Sequence, residues 1–249
     1  MKYAIIAAGE GSRLAGEGVA TPKPLVRVGG EELLGRLVRV FAENDAQEIA
    51  VICNERMTAV ADYLQGLRCR GTDGRNISLR VMVRTTPSSM HSLHALSPWL
   101  TDGQPLVVTT VDTVFREDDF AEYVGAFRKA LADGSDALMG VTCHIDDEKP
   151  LYVAVDDDGR VTGFYDDAHG CRHVSAGIYG LTAPCLRVLD DCVARGERRM
   201  RNFQRALVAE GLQVRAFDMG MVMDVDHAED IAKAERMLRG DGRREEDCR

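Results

Sequence analysis

The sequence predicts an α/β fold, in which helices cover both faces of a mostly parallel sheet. Two observations support this fold class. Short apolar runs, typical of buried strands, alternate with stretches of helical periodicity through the first half of the chain. A strand, a helix and the next strand in this order form a crossover unit, which places the two strands parallel in one sheet.

Strands of the first half are predicted from apolar runs, and helices from apolar residues that recur every three or four positions. The first strand, 4–8, is an unbroken run of alanine and isoleucine, and the helix 31–44 places leucines, a valine and a phenylalanine on one face. The full set comprises strands at 4–8, 46–53, 77–83 and 105–111, helices at 31–44, 57–67, 88–96 and 117–132, and a loop rich in glycine and aspartate at 68–76.

From residue 136 onward, strands follow one another with fewer helices between them. Here the strands are predicted at 137–143, 151–155, 161–165, 174–181, 212–217 and 221–225, the helices at 184–195, 200–210 and 228–238, and a hairpin turn at 156–160. No repeat or long linker interrupts the chain. We therefore predict one domain over residues 1–238, with halves at about 1–135 and 136–238, and a frayed tail at 239–249.

Composition excludes several classes of protein. The net charge of −9 argues against a broad basic surface for nucleic acid. No apolar run approaches the roughly 18 residues of a transmembrane helix, and the N-terminus lacks the cleavage region of a signal peptide. The seven cysteines are odd in number and form no C-x-x-C pair. We expect a cytoplasmic protein without nucleic-acid or membrane partners, and its oligomeric state stays open.

A glycine-bearing turn follows the first strand and reads AGEGSR over residues 8–13. Gly9 and Gly11 can adopt positive φ and let a phosphate approach backbone amides, and Arg13 adds a fork of donors that suits phosphate oxygens. A tight βα turn alone would also explain the two glycines. The pattern is neither a dinucleotide fingerprint, because the third glycine and its helix are missing, nor a Walker A loop, because no G-K-[ST] follows.

Lys23 lies ten residues after this turn, between two prolines in the run TPKPL. Proline fixes its own φ and restricts the residue before it. The lysine is therefore predicted to sit on a stiff segment that can aim a positive charge.

Three aspartates are placed where a cleft could use their carboxylates. Asp112 follows the predicted strand 105–111, at the end where ligands of open α/β sheets bind, although it could instead cap a helix. Asp224 and Asp226 are two apart, so an extended segment would point both to one face. Asp226 could also cap the helix that begins near residue 228.

Together these motifs resemble the signature of the nucleotidyltransferases that make nucleotide-sugars and related activated alcohols such as those derived from phosphocholine. That signature is a strand ending in A-G-x-G-x-R, followed by K-P-x, which here is Lys23-Pro24-Leu25. The late segment MVMDVDHAEDI, 221–231, is similar to the acidic motif of the family, with its tryptophan absent and His227 in place of a small hydroxyl residue. The resemblance implies a Rossmann-like fold of the nucleotide-diphospho-sugar transferase type, with a nucleotide half and an acceptor half.

By this resemblance, the chain transfers a nucleotidyl group from an NTP to a phosphomonoester, either a sugar 1-phosphate or an alcohol phosphate such as phosphocholine, and releases pyrophosphate. The implied catalytic residues are Lys23 and Arg13. Asp112, with one or both of Asp224 and Asp226, would hold Mg²⁺. The implied nucleotide-binding set is Ala8, Gly9, Gly11, Ser12, Arg13, Ser88 and Ser92.

Two further segments are assigned by resemblance. Ser88 and Ser92 fall where the family covers the nucleobase and ribose, although a helix N-terminus explains the serines equally well. Ser175 and Gly177 fall on the strand that lines the acceptor pocket. The lysine that the sugar branch carries after its hairpin is absent from 164–168, which argues against a standard hexose 1-phosphate acceptor. Two alternatives stay open, namely a molybdopterin-type nucleotidyltransferase and a non-catalytic nucleotide-binding regulatory module.

Overall fold

The computed structural model describes residues 1–70 and 78–240. Strands in these ranges are β1 Lys2–Ala7, β2 Arg27–Val28, β3 Glu31–Glu32, β4 Glu48–Cys53, β5 Leu79–Val83, β6 Leu106–Thr110, β7 Thr113–Phe115, β8 Ala137–Thr142, β9 Tyr152–Val155, β10 Val161–Tyr165, β11 His173–Leu181, β12 Val214–Asp218 and β13 Val222–Asp224. Helices are α1 Ser12–Gly16, α2 Leu33–Glu43, α3 Thr58–Arg70, α4 Ser89–Leu100, α5 Glu117–Ala132, α6 Ala183–Ala194, α7 Met200–Ala209 and α8 Ala228–Arg239, with a 3-10 turn at Lys23–Leu25.

Most of the predicted elements are present within two or three residues of their predicted bounds. The first residues of the predicted loop 68–76 are helical, because α3 continues through Arg70. The rest of that loop, and the predicted tail from residue 241, lie outside the described residues.

A nine-stranded sheet forms the centre of the described part of the molecule, in the order β10-β9-β11-β6-β1-β4-β5, with β8 beside β11 and β12 beside β8. β1 runs parallel to β4 and β6, and β4 runs parallel to β5. β11 runs antiparallel to β6. The predicted α/β class with its mostly parallel centre is confirmed, and strands of both predicted halves lie in this sheet. The single-domain organisation over residues 1–238 stays a prediction.

Alternate residues of β1 pack into cores on the two faces of the sheet. Tyr3 and Ile5 contact one core, where the ring of Tyr3 stacks on that of Phe41 with 4.6 Å between centroids. Ala4 and Ile6 contact the other core. A strand with helices on both faces has no polar side, which explains the unbroken apolar run. No helix in the described ranges combines the length and apolarity needed to cross a bilayer.

Two short elements near the cleft differ from the prediction. The helix α1 follows the glycine turn directly, although no helix was predicted there, and the buried side chain of Leu14 anchors it to the core. The strand β7 follows Asp112 and pairs antiparallel with β13, which places Thr113 opposite Asp224. This pairing brings the late acidic segment to the end of β6, where the parallel strands present their carboxyl ends.

Candidate active site

Gly11 lies at the end of the loop after β1 and makes room for Lys23. Its φ is +61°, in the left-handed region that favours glycine. A Cβ added to Gly11 would lie 2.9 Å from the Cβ of Lys23, whereas one added to Gly9 would meet no atom within 4 Å. The packing of the lysine therefore requires glycine at position 11, while Gly9 leaves open space.

Lys23 is held by a short turn between its two prolines. The backbone N–H of Leu25 donates to the carbonyl oxygen of Pro22 at 2.8 Å, and that of Val26 donates to Lys23 at 3.1 Å. The side chain of Lys23 is 9% exposed, and its Nζ lies 2.5 Å from Asp112 Oδ2 and 2.5 Å from Asp226 Oδ1. One buried ammonium thus joins an aspartate of the first half to an aspartate near the C-terminus.

Burial opposes the charge on Lys23, but the carboxylates of Asp112 and Asp226 outweigh it and raise the pKa of the lysine. Lys23 therefore carries its proton at neutral pH. Replacing Lys23 by an uncharged residue would lower the stability of the folded protein, because Asp112 and Asp226 would each lose their buried partner.

Asp112 lies between β6 and β7, and its carbonyl oxygen accepts a hydrogen bond from Val225 N at 3.0 Å. The alternative role of a helix cap does not hold, because α5 has Arg116 at its N-cap. Asp226 is not a helix cap either, because His227 occupies the N-cap of α8. Both aspartates instead point to Lys23.

Asp224 is the last residue of β13, and Asp226 lies beyond the strand. That both side chains share one face stays a prediction. Thr113 Oγ1 donates to Asp224 Oδ1 at 3.0 Å. Asp224 is exposed in the wall of the cleft. Partial desolvation by the surrounding wall, followed by the charge of Asp112, raises the pKa of Asp224 to about 7.

Arg13 approaches the same group of carboxylates from α1. Its side chain is 52% exposed, and its Nη1 lies 2.5 Å from Asp226 Oδ2. A second carboxylate, Glu148, lies 3.7 Å from Nη2. Asp226 therefore contacts Lys23 with one oxygen and Arg13 with the other, so the two cations face one region of the cleft.

Two cavities meet at this point, and both include Arg13 and Asp226 in their walls. The first cavity, of about 680 Å³, extends over the loop after β1. The second, of about 500 Å³, lies on the side of β11 and β13. Of the predicted nucleotide-binding residues, the first cavity is lined by Ala8, Gly9, Gly11, Ser12, Arg13, Ser88 and Ser92. The structure therefore brings the whole predicted nucleotide-binding set to one cavity.

The two serines in that set have structural partners. Ser88 is the N-cap of α4, and its Oγ accepts from His91 N at 3.4 Å. Ser92 is buried, and its Oγ donates to the carbonyl oxygen of Ser88 at 3.2 Å and lies 2.6 Å from Thr86 Oγ1. The helix-terminus explanation that the sequence left open accounts for Ser88.

Of the two predicted acceptor-binding residues, Ser175 lines the second cavity and Gly177 does not. The Oγ of Ser175 donates to Gln204 Oε1 at 2.9 Å. Gly177 has a φ of +72°, and an added Cβ would lie 3.1 Å from Thr113 Oγ1. Glycine at position 177 thus leaves room for the threonine that bonds Asp224, and Gly177 is not among the lining residues of this cavity.

The donor chemistry of this region fits Mg²⁺. Carboxylate oxygens are its preferred protein ligands, and Mg²⁺ commonly uses one or two carboxylates and several waters. Asp112 and Asp226 face each other across Lys23 Nζ. Within the described ranges, Asp112, Asp224 and Asp226 do not form a set whose oxygens all lie within 4.8 Å of one another. Carboxylates for such a cation are therefore present in this region, with Asp112 and Asp226 on either side of the lysine.

Three residues near the site escaped the sequence analysis. Asn54, at the end of β4, is buried and donates to the carbonyl oxygen of Ala8 at 3.1 Å, while its Oδ1 accepts from Thr85 Oγ1 at 3.1 Å. Thr113 bonds Asp224, and Glu17 contacts the N-terminus of α8. Asn54 directly follows a predicted strand and could have been found by that position, whereas Thr113 and Glu17 act through contacts distant in sequence.

Comparison with known proteins places this geometry in context. A family model described as a MobA-like NTP transferase domain matches residues 3–210. Two curated relatives are both named bifunctional IPC transferase and DIPP synthase. The protein from Rubrobacter xylanophilus is 28% identical over 95% of this chain and 52% of its own length, and that from Archaeoglobus fulgidus is 26% identical over 96% and 44%. The chain thus spans about half the length of these relatives.

A solved structure shows the same fold at low sequence identity. It is the inositol-1-phosphate CTP transferase from T. maritima, which matches with a TM-score of 0.77 and 17% identity. The match covers 96% of this chain and 94% of the other. The nucleotide-diphospho-sugar transferase type of fold expected from the sequence is therefore confirmed.

Proposed function

The chain belongs to the MobA-like NTP transferase domain family, and on this premise we propose that it transfers a nucleotidyl group from an NTP to a phosphomonoester, releasing pyrophosphate. One observation carries the proposal most strongly. The charged pair of Lys23 and Arg13 meets Asp226 where two cavities join. A reaction between two phosphate-bearing substrates needs such a junction, because the acceptor phosphate must reach the α-phosphorus from the side opposite to the leaving group.

The first cavity is the proposed site for the NTP. Backbone groups of the loop from Ala8 to Ser12 border it, and Arg13 stands at its junction with the second cavity. In this role the amides and the guanidinium bind the β- and γ-phosphates, because both present N–H donors to anionic oxygens. Asn54 holds the loops after β1 and β4 together through its bond to Ala8.

Lys23 is the proposed catalytic residue. Its ammonium is charged, rigidly held and largely shielded from solvent. In this position it stabilises the negative charge that the α-phosphate carries as the acceptor oxygen attacks, an electrostatic effect that is strong where water is excluded. A phosphate monoester is already ionised at neutral pH, so the attack requires no strong general base.

Asp112 and Asp226, with Asp224 nearby, are the proposed holders of Mg²⁺. Neutralisation of charge on the triphosphate and on the pyrophosphate that leaves is the chemistry that this cation supplies when bound. The hydrogen bond from Thr113 orients the carboxyl of Asp224.

The second cavity is the proposed site for the acceptor, and its lining favours a hydroxylated one. Carboxylates outnumber lysine and arginine side chains in this lining, so the part of the acceptor beyond its phosphate should carry hydroxyl or ammonium groups. Phenylalanine, tyrosine and tryptophan, whose rings recognise quaternary ammonium groups, are absent from the described residues that line this cavity. These features support a sugar phosphate or polyol phosphate over phosphocholine.

A matrix of substrates tests the proposal. Each of ATP, CTP, GTP and UTP is incubated with glucose 1-phosphate, inositol 1-phosphate, glycerol 3-phosphate, phosphoethanolamine or phosphocholine, and pyrophosphate release is measured with Mg²⁺ and with EDTA. We expect Mg²⁺-dependent release with a hydroxylated acceptor. Release with phosphocholine alone would contradict the acceptor class. No pyrophosphate release with any pair of substrates, together with no detectable NTP binding, would contradict the nucleotidyltransferase function.

The two alternatives from the sequence differ in their outcome. A molybdopterin-type enzyme would bind an NTP but release no pyrophosphate with any acceptor of the matrix. In a separate assay with a pterin phosphate as acceptor, it would release pyrophosphate. A regulatory module would bind an NTP and release none with either class. The charged arrangement of Lys23, Asp112 and Asp226 supports a catalytic protein.

A further inference from the structure

Glu17 joins two segments of the candidate site that are distant in sequence. It directly follows α1, between Arg13 and Lys23, and its Oε2 accepts from the backbone N–H of Ala228 at 2.7 Å. Its Oε1 lies 2.6 Å from His227 Nδ1. An ionised carboxylate has only acceptors, so this imidazole nitrogen donates. The residues bonded are 210 and 211 positions apart along the chain.

The segment that Glu17 reaches is itself fixed to α8. Asp230 is buried, and its Oδ2 accepts from Asp226 N at 3.1 Å and from His227 N at 2.7 Å. These bonds hold the backbone that carries Asp226. The negative charge of Glu17 at the first turn of α8 is also favoured by the partial positive charge of the helix N-terminus.

Along the chain, Glu17 lies between the two positively charged residues of the site, Arg13 and Lys23. Arg13 is four residues before it and Lys23 six residues after it, and both contact the carboxylate of Asp226. The helix α1 that carries Arg13 has only five residues, which is too short to be stable without outside contacts. A bond from the end of α1 to the backbone N–H two residues after Asp226 therefore links the segment that carries Arg13 to the segment that carries that aspartate.

We propose that Glu17 is a positioning residue, which binds the phosphate-binding segment to the N-terminus of α8 and so holds Arg13 in place for the NTP. The proposal rests on the proposed function, since it gives Arg13 its substrate. Glu17 itself need not touch the nucleotide. Its action passes through α1, so its loss should weaken NTP binding more than it slows turnover.

The test is a set of variants whose NTP affinity is measured by calorimetry without acceptor, using whichever of ATP, CTP, GTP and UTP the wild type binds most tightly. Glu17→Ala should weaken binding about fivefold, the effect expected for one lost helix-terminal acceptor. Glu17→Gln keeps an acceptor for Ala228 N and should stay within about twofold of the wild type. Glu122→Gln removes the same charge from an exposed position of α5, outside both cavities, and should leave the affinity unchanged.

A double variant separates positioning from a merely structural role. In the Arg13→Ala background, Glu17→Ala should add little further loss of affinity, because its effect passes through Arg13. Equal loss in both backgrounds would overturn the proposal. A lowered Tm with unchanged NTP affinity, or a change confined to the KM of the acceptor, would overturn it too. If the wild type bound none of the four NTPs, the proposed function itself would fail, and the role of Glu17 with it.

Discussion

The Nζ of Lys23 lies 2.5 Å from Asp112 Oδ2, a contact between residues 89 positions apart in the chain. A turn with a proline on each side holds the lysine, and the end of a core strand holds the aspartate. Both anchors are rigid, so the distance between the charges does not depend on a flexible loop. This preorganisation is what electrostatic catalysis requires, because the charges need no rearrangement as the reaction proceeds.

Lys23→Ala should lower kcat by about 100-fold or more, the effect known for loss of one preorganised donor. It should also lower the Tm, because Asp112 and Asp226 lose their buried partner. Steady-state kinetics and thermal denaturation would measure both effects. Lys129→Ala, which removes an exposed lysine from α5, is the control. Near-normal turnover of Lys23→Ala would remove the lysine from the mechanism.

Arg13→Ala should raise the KM for the NTP by about tenfold, the effect of losing a hydrogen bond to a charged group. Arg13→Lys should recover only part of the affinity, because an ammonium lacks the planar fork of guanidinium donors. Initial rates at varied NTP concentration would measure this. An unchanged KM in Arg13→Ala would mean that the arginine does not bind the triphosphate.

Asp112→Asn and Asp226→Asn should each abolish Mg²⁺-dependent turnover and leave a folded protein. Asp224→Asn should cause a smaller loss, since Asp224 contacts Thr113 rather than Lys23. Mg²⁺ titrations of turnover, and of NTP binding by calorimetry, would measure the effect, with the exposed Asp118→Asn of α5 as control. Normal response of Asp112→Asn and Asp226→Asn to Mg²⁺ would argue against this metal site.

Asp224→Asn should change how stability depends on pH. The pKa of Asp224 is raised to about 7 in the folded protein, whereas an unfolded aspartate has a pKa of about 3.9. Between these values the folded state binds more protons at this site, so the contribution of Asp224 to the free energy of unfolding falls as the pH rises. Relative to the wild type, Asp224→Asn should become more stable from about pH 4 to pH 7, and the gain should level off above that range.

Thermal denaturation of both proteins in EDTA, at closely spaced pH values, would measure this difference. EDTA is needed because a bound cation would hold the carboxylate ionised. A difference in Tm that did not vary with pH would show that Asp224 keeps an ordinary pKa.

Gly11→Ala should lower both stability and kcat. The positive φ at Gly11 costs an alanine roughly 1–2 kcal/mol, and the new Cβ would meet the Cβ of Lys23 at 2.9 Å. Gly18→Ala is a matched control, because Gly18 has a φ of +89° but no atom within 4 Å of an added Cβ. Both variants should lose stability in thermal denaturation, and only Gly11→Ala should lose turnover. Equal kcat in the two would show that the close contact does not matter.

The sequence alone was enough for the fold class and for the list of candidate residues, because both depend on local patterns. An apolar run bounded by turn residues indicates a buried strand wherever it occurs, and glycine and proline restrict the backbone at their own positions. The order of strands and helices then limits the sheet to few topologies. The roles assigned to these residues stay predictions.

Only the tertiary structure decided which of these residues meet. Lys23, Asp112 and Asp226 lie together at the edge where β7 pairs with β13. The sequence predicted a strand at 221–225, but β7 has only three residues and was not predicted, and no local pattern indicates that the two strands pair. Asp224 ends β13 and Asp226 lies just beyond it, and their side chains contact different partners, Thr113 and Lys23. The contact of Glu17 with α8 has no local signature either, since it joins an exposed carboxylate to a backbone N–H far along the chain. Local preferences act over a few residues, whereas these contacts depend on how the packed sheet brings distant segments to one edge.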